Sequence, residues 1–384
     1  MPHDKADDGH EPAPGPIGPP APPVPPVPSL ASQFRAHFAD SGTLYEVLLD
    51  HFADDLEAGG IIADICQDWT EAAREEVVHL RLLAALFRVV LRGDAPQLVR
   101  YYPCLGGDSP PDGCWPDVAD VVAARATEIR AALTVAPQTN EVGRSAPLLI
   151  ALFEAVRRRG IGRVRLLEPG ASAGLNLNVD RYLFTGPGWS AGPPGSRLRI
   201  DTLADGVRPE PMTIVERRGC DLSPVDPASG DGALRLRSYV WPWQLDRHAR
   251  LVAALAIVRE RPVAVDRASA ADWLTLQLAA PAAPGTLTVV WHSVTRQYWP
   301  AAETALVAEI IDAARRRMPL AHVSMEDAPT RSGQESRIPF DWPQLRLDGE
   351  LVARCHYHGP PVVLTTAERA GSDSGAGGPP DGRR

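Results

Sequence analysis

The spacing of apolar side chains changes character once along this chain, near residue 138. From about residue 30 to residue 137 the period is helical. Leu80, Leu83, Leu86 or Phe87, and Val90 recur every three or four positions after an acidic turn, and Gly93 stands where a C-terminal cap belongs. A second helix is predicted from an Asp117 cap to about Leu133, beyond the loop Tyr101-Tyr102-Pro103-Cys104-Leu105-Gly106-Gly107, whose tyrosines suit a core more than a substrate mouth.

From residue 138 to about 365, strand and helix patterns alternate. Ser145 is the expected cap of a helix that buries Leu148, Leu149, Leu152, Phe153 and Val156 and stops at Gly160. The run 164–167 reads as a strand, with further candidates at 212–215, 263–265, 287–291, 322–325 and 351–357, and helices at 244–259 and 301–316. Such alternation predicts an α/β fold, a mostly parallel sheet with helices on both faces, preceded by a helical N-terminal region. The ends differ: residues 1–29 are charged and then Pro-rich, and 366–384 are poor in apolar side chains, so both are expected to be disordered tails.

Composition narrows the function. With 384 residues, 44% hydrophobic and 23% charged, the chain can build a core without staples. A net charge of −9 argues against a nucleic-acid binder that neutralises phosphates, and the runs Arg157-Arg158-Arg159 and Arg315-Arg316-Arg317 fall at helix ends, where cations suit the dipole. Cys66, Cys104, Cys114, Cys220 and Cys355 are scattered and lack metal-site spacing, so reduced thiols and no metal are expected. No apolar run approaches the ~18 residues of a membrane span, and no secretory pattern opens the chain. The expectation is a cytoplasmic protein with a small-molecule partner, its oligomeric state left open.

The chemistry gathers in Val164-Arg165-Leu166-Leu167-Glu168-Pro169-Gly170-Ala171-Ser172-Ala173-Gly174-Leu175-Asn176, a strand entering a small-residue turn and then an expected helix. Small residues let a backbone approach a nucleotide-like cofactor, and an acid at the strand end accepts hydrogen bonds from it. Downstream, Gly219-Cys220-Asp221-Leu222-Ser223-Pro224 resembles the end of the next strand in methyltransferases, where Asp221 would grip a ribose. Asp221 lies well beyond the usual ~20 residues from the loop. The turns Gly186-Pro187-Gly188 and Gly192-Pro193-Pro194-Gly195 account for the excess as an inserted excursion. The same loop also spells Gly-x-Ser-x-Gly, so a serine hydrolase with Ser172 as nucleophile, Asp266 or Asp327 as acid and His356 or His358 as base is the rival reading. A third reading keeps the nucleotide pocket without catalysis.

Two longer motifs, Gln138-Thr139-Asn140-Glu141-Val142-Gly143-Arg144 and the run from Leu167 through Asn178-Val179-Asp180-Arg181-Tyr182, resemble an uncharacterised bacterial family, domain of unknown function 2332. Val240-Trp241-Pro242 and Val290-Trp291-His292-Ser293 extend the resemblance over roughly residues 35 to 360. By analogy of fold it implies a Rossmann-like, class I methyltransferase-type domain and S-adenosylmethionine as cofactor. On that reading Glu168, Gly170, Ser172, Gly174 and Asn176 cradle the cofactor and Asp221 holds its ribose. Ser269 stands where the family pattern would put an adenine-reading acid, in Ala268-Ser269-Ala270. His292 or Glu141 then serves as the catalytic group near the acceptor, with Arg144, Trp241 and Tyr298 on the substrate. For Asp180 with Arg181, and for Glu141 with Arg144, plain ion pairs are the competing expectations.

Overall fold

The computed structural model describes residues 28–73, 76–327 and 342–365; the two predicted tails lie almost wholly outside them. The first part is helical: α1 (Leu30–His37), α2 (Leu44–Ala58), α3 (Ile61–Ile65), α4 (Val78–Leu91), α5 (Trp115–Ala124) and α6 (Ala126–Ala132). Leu83, Leu86, Phe87 and Val90 of the predicted α4 stripe are buried, Leu80 is half-buried, and Gly93 follows with φ +84. The expected 117–133 helix is broken at Arg125 (φ −120, ψ 16), and Asp117 lies inside the first turn of α5 instead of capping it. There it meets Arg100 and the buried Tyr101. Tyr101 and Tyr102 both pack in the core of this region.

The second part begins with α7 (Ser145–Arg159) and is built on an eight-stranded sheet. The strands are β1 (Arg163–Pro169), β5 (Thr213–Asp221), β6 (Val265–Arg267), β7 (Thr286–Ser293), β8 (Leu320–Glu326), β9 (Gln344–Leu347), β10 (Glu350–His356) and β11 (Gly359–Leu364). Their order is β11-β10-β9-β8-β7-β1-β5-β6. The five from β8 to β6 are mutually parallel, and β9 to β11 continue the sheet antiparallel. A smaller sheet, β3-β2-β4, comprises β2 (Leu183–Gly186), β3 (Trp189–Ala191) and β4 (Arg199–Asp201) and forms the predicted excursion.

Alternation along the strands sorts the core. Val164, Leu166, Leu287, Val289 and Trp291 face α7 and α9 (Leu245–Glu260), while Leu167, Val290 and Leu320 face α10 (Ala270–Gln277) and α11 (Ala301–Arg315). Burying a Leu or Ile side chain contributes about 1.5–3 kcal/mol, so these two faces lock the register. At its far end α7 stops as predicted: Gly160 adopts φ +64 and its N–H returns to the Val156 carbonyl. At its start, the Ser145 hydroxyl donates to the Val142 carbonyl at 2.6 Å instead of capping, because a 3₁₀ turn (Val142–Arg144) runs directly into the helix.

One expected helix is absent. Residues Leu175–Arg181 form a 3₁₀ segment kinked at Asn178; Asn140 caps the Leu175 N–H, and the Tyr182 hydroxyl donates to the Leu175 carbonyl that a continuing helix would use. Asp180 and Arg181 do not pair either; Asp180 binds Arg217 through both oxygens at 2.6 and 2.7 Å, and Arg181 donates to the Arg261 carbonyl. The helical region joins the sheet region through Gly230–Ser238 (α8) and the segment carrying Trp241 and Trp243, which insert between Phe38 and Tyr45. No helix among the described residues is long and apolar enough to cross a membrane.

Candidate functional site

Strand order turns back at β1, with β5 and β6 on one side and β7 and β8 on the other, so loops leave their carboxyl ends in opposite directions. The loop after β1 sits in that gap. Gly170, Ser172 and Gly174 all have positive φ (+74, +54 and +70), and the Gly170 and Ala171 N–H groups both donate to the Cys220 carbonyl of β5. Its small residues answer a protein contact first. A Cβ on Gly170 would lie 2.4 Å from Thr295 Oγ1 beyond β7, and one on Gly219 would lie 2.6 Å from the Ala171 Cβ.

Asp221 ends β5 beside the loop, and its carboxylate is already engaged. Oδ2 accepts the Ser172 N–H at 2.9 Å, and Oδ1 accepts the Ser223 N–H at 2.9 Å and the Gln138 amide at 3.0 Å. With Asn140 holding the Leu175 N–H at 2.9 Å, the segment 138–141 straps the loop from outside.

Under the loop, Glu168 is 2% exposed. Burial pushes its carboxyl up to about 8; the Trp291 indole N–H, the Asn176 side chain and Arg144 oppose that rise, and Asp221 adds to it. Trp291 Nε1 donates to Oε1 at 3.1 Å, while Oε2 finds no hydrogen-bond partner among the described residues. The buried Ser172 Oγ, Asn176 Oδ1 and both amide atoms of Asn178 are equally unmatched. Buried polar atoms are rarely left so, and several of them gather around this one loop.

Glu141 and Arg144 part company. Glu141 accepts Arg247 Nε at 2.6 Å and the Gly143 N–H at 3.0 Å, with His358 Nδ1 at 3.5 Å and Arg250 at 4.0 Å. Burial raises its carboxyl, but Arg247, His358, Gly143 and Arg250 together hold it below the usual range. Arg144 donates to the Tyr357 carbonyl at 2.9 Å and to the Ser293 carbonyl at 3.4 Å, tying the strap to the end of β7. A small cavity lies beside them, lined by Asn140, Glu141, Val240 and Arg247. A wider cleft, between α7 and the β10–β11 edge, contains none of the predicted site residues.

The remaining predicted residues scatter. His292, 3% exposed, points to the opposite face from Glu168 and meets Glu326 and His322. Ser269 caps α10, its hydroxyl accepting the Asp272 N–H and contacting the Asp272 carboxylate. Trp241 belongs to the aromatic cluster of the helical region, and Tyr298 is 76% exposed on the turn after β7. For the hydrolase reading, Ser172 Oγ has no hydrogen-bonded base among the described residues: Asp266 is held by Arg218 and Trp273, and His358 lies against Glu141. The five cysteines are free, and no group of three or more ligand side chains gathers as a metal site among the described residues.

Gln138, Trp291, Arg247, His322 and Glu326 were not expected at the site. His322 and Glu326 could have been found from strand alternation, since 322, 324 and 326 share a face of β8. Arg247 gives no local signal; its role depends on α9 crossing the strap.

Fold and site together define an α/β protein with a mostly parallel sheet and an incompletely satisfied polar site where the strand order reverses. The chain belongs to the family described as uncharacterised proteins conserved in bacteria, domain of unknown function 2332, whose profile matches residues 29–363. No curated protein and no solved structure matches it.

Proposed function

We propose that this chain is an S-adenosylmethionine-binding, Rossmann-like methyltransferase that acts on a small molecule. One observation supports the reading most: acidic side chains end the two adjacent parallel strands β1 and β5, on either side of the loop at the reversal of strand order. The methionine end of such a cofactor fits. Asn176 Oδ1 is an unmatched acceptor, and Glu168, which holds its proton in the ligand-free chain, becomes a second one when an ammonium group favours its ionised form; Ser172 Oγ can serve a carboxylate. For the ribose, Asp221 offers its free capacity on Oδ2, and more once Gln138 releases Oδ1.

Bound there, the cofactor would supply a methyl group activated by its sulfonium. The chain's own part is positioning and exclusion of water, which can account for ~7–11 kcal/mol of a barrier. Arg144 and Thr295 hold the end of β7 against the loop, and Glu141 holds the strap through Gly143 and Arg247. Calorimetry and thermal shift with S-adenosylmethionine and S-adenosylhomocysteine test the reading. A ligand at 100 times its Kd stabilises by ~2.7 kcal/mol. Neither heat nor shift with either compound, together with fluorophosphonate labelling of Ser172, would instead establish the hydrolase.

A further inference from the structure

The sheet face turned toward α11 carries a second polar cluster. His292 on β7 and His322 and Glu326 on β8 project onto it. Glu326 Oε1 lies 2.6 Å from His292 Nδ1, and His292 Nε2 lies 3.0 Å from His322 Nε2. The N–H groups of Thr295 and Arg296 also donate to Glu326 Oε1, each at 3.3 Å. With Glu326 as acceptor, His292 carries a hydrogen on Nδ1, and one of the two facing Nε2 atoms must carry another, since two lone pairs cannot share a 3.0 Å gap. Burial, then His292, Arg315 and Arg296 hold His322 down to about 3, so it stays neutral. Arg144, from the strap, also faces Glu326, and Asp348 accepts the His322 backbone N–H at 2.9 Å while pairing with Arg315. Trp299 closes one side, its ring 5.1 Å from that of His292, next to the exposed ring of Tyr298.

We propose that His292 is the general base of the transfer, through Nε2, with Glu326 as its positioning residue and His322 as a resting cap that the acceptor displaces. The flanking aromatic rings point to a hydroxyl on a flat, apolar ring as the acceptor class. Its O–H bond would break with the proton passing to Nε2, and the oxygen's electron pair would form the new bond to the methyl carbon as the carbon–sulfur bond breaks and its pair goes to sulfur, which leaves as the neutral thioether. Glu326 balances the imidazolium, which gives up its proton to solvent once the product departs. This rests on the transferase reading, but its test needs no cofactor.

Long-range proton–nitrogen NMR on the full chain labelled in histidine should find His292 protonated on Nδ1 alone and His322 on Nε2. Glu326→Leu removes the acceptor of the Nδ1 hydrogen and should shift His292 toward the Nε2–H tautomer. In His322→Ala, diethyl pyrocarbonate should acylate His292 about 100-fold faster than in His322→Ala/Glu326→Leu, the low end of a base's contribution. His292 protonated on Nε2 in the unaltered chain, both Nε2 atoms bare around a co-purifying metal, or equal acylation of the two variants would overturn the proposal. The unaltered chain decides the tautomers even if a variant does not fold. Failure here leaves a positive S-adenosylmethionine titration standing, and the converse also holds.

Discussion

Replacing Glu168 by Gln should stabilise the ligand-free protein above mildly acidic pH, although it removes a central site residue. In the folded chain burial lifts this carboxyl from 4.5 to about 8, so the folded state keeps a proton that the unfolded state gives up. The contribution is complete below pH 4.5 and is lost as pH rises toward 8. Each pH unit in that window costs the wild type about 1.4 kcal/mol, or roughly 3 kcal/mol between pH 5 and pH 7.5. Glutamine keeps an oxygen for the Trp291 N–H and adds a donor beside Asn176, so the packing is preserved. Urea unfolding of both proteins at several pH values checks this. Their stabilities should agree near pH 5 and separate by roughly 3 kcal/mol near pH 7.5, equivalent to ~4 °C in Tm for a chain of this size. Parallel pH profiles would refute the buried, weakly solvated carboxyl. The same variant should lose affinity for a cationic ligand, so stability and binding move in opposite directions.

Gln138→Ala frees Asp221 Oδ1 and should strengthen S-adenosylhomocysteine binding severalfold by calorimetry, where a catalytic or ribose-contacting glutamine would weaken it. Arg247→Ala leaves Glu141 buried without its main cation and should cost about 3–5 kcal/mol in urea unfolding. Gly170→Ala adds a Cβ 2.4 Å from Thr295 Oγ1 at a φ of +74; it should destabilise by about 1–3 kcal/mol, and Thr295→Ser should not rescue it, because the clashing hydroxyl remains.

Much of the scaffold was legible because it depends on neighbours in sequence. The α4 stripe, the Gly160 stop, the 287–291 core of β7 and the loop from Glu168 to Gly174 each follow from local period or from small residues. β9 and β11 were not legible, because short strands carry weak alternation and pair only with partners brought to the sheet edge by β8 and β10. The helix expected after the loop gives way to a kinked 3₁₀ segment, where the Tyr182 hydroxyl at its end donates to the Leu175 carbonyl that a helix would use.

The sequence alone determined that acids would stand at the ends of β1 and β5 and a histidine at the end of β7, since residue type and strand position are local properties. Only the tertiary structure decided their states. Burial makes Glu168 hold its proton, the strap occupies Asp221, and the pleat turns His292 away from both and onto Glu326. Desolvation and hydrogen-bond partnership come from the whole fold, so the chemistry of these groups cannot be read from the residues beside them.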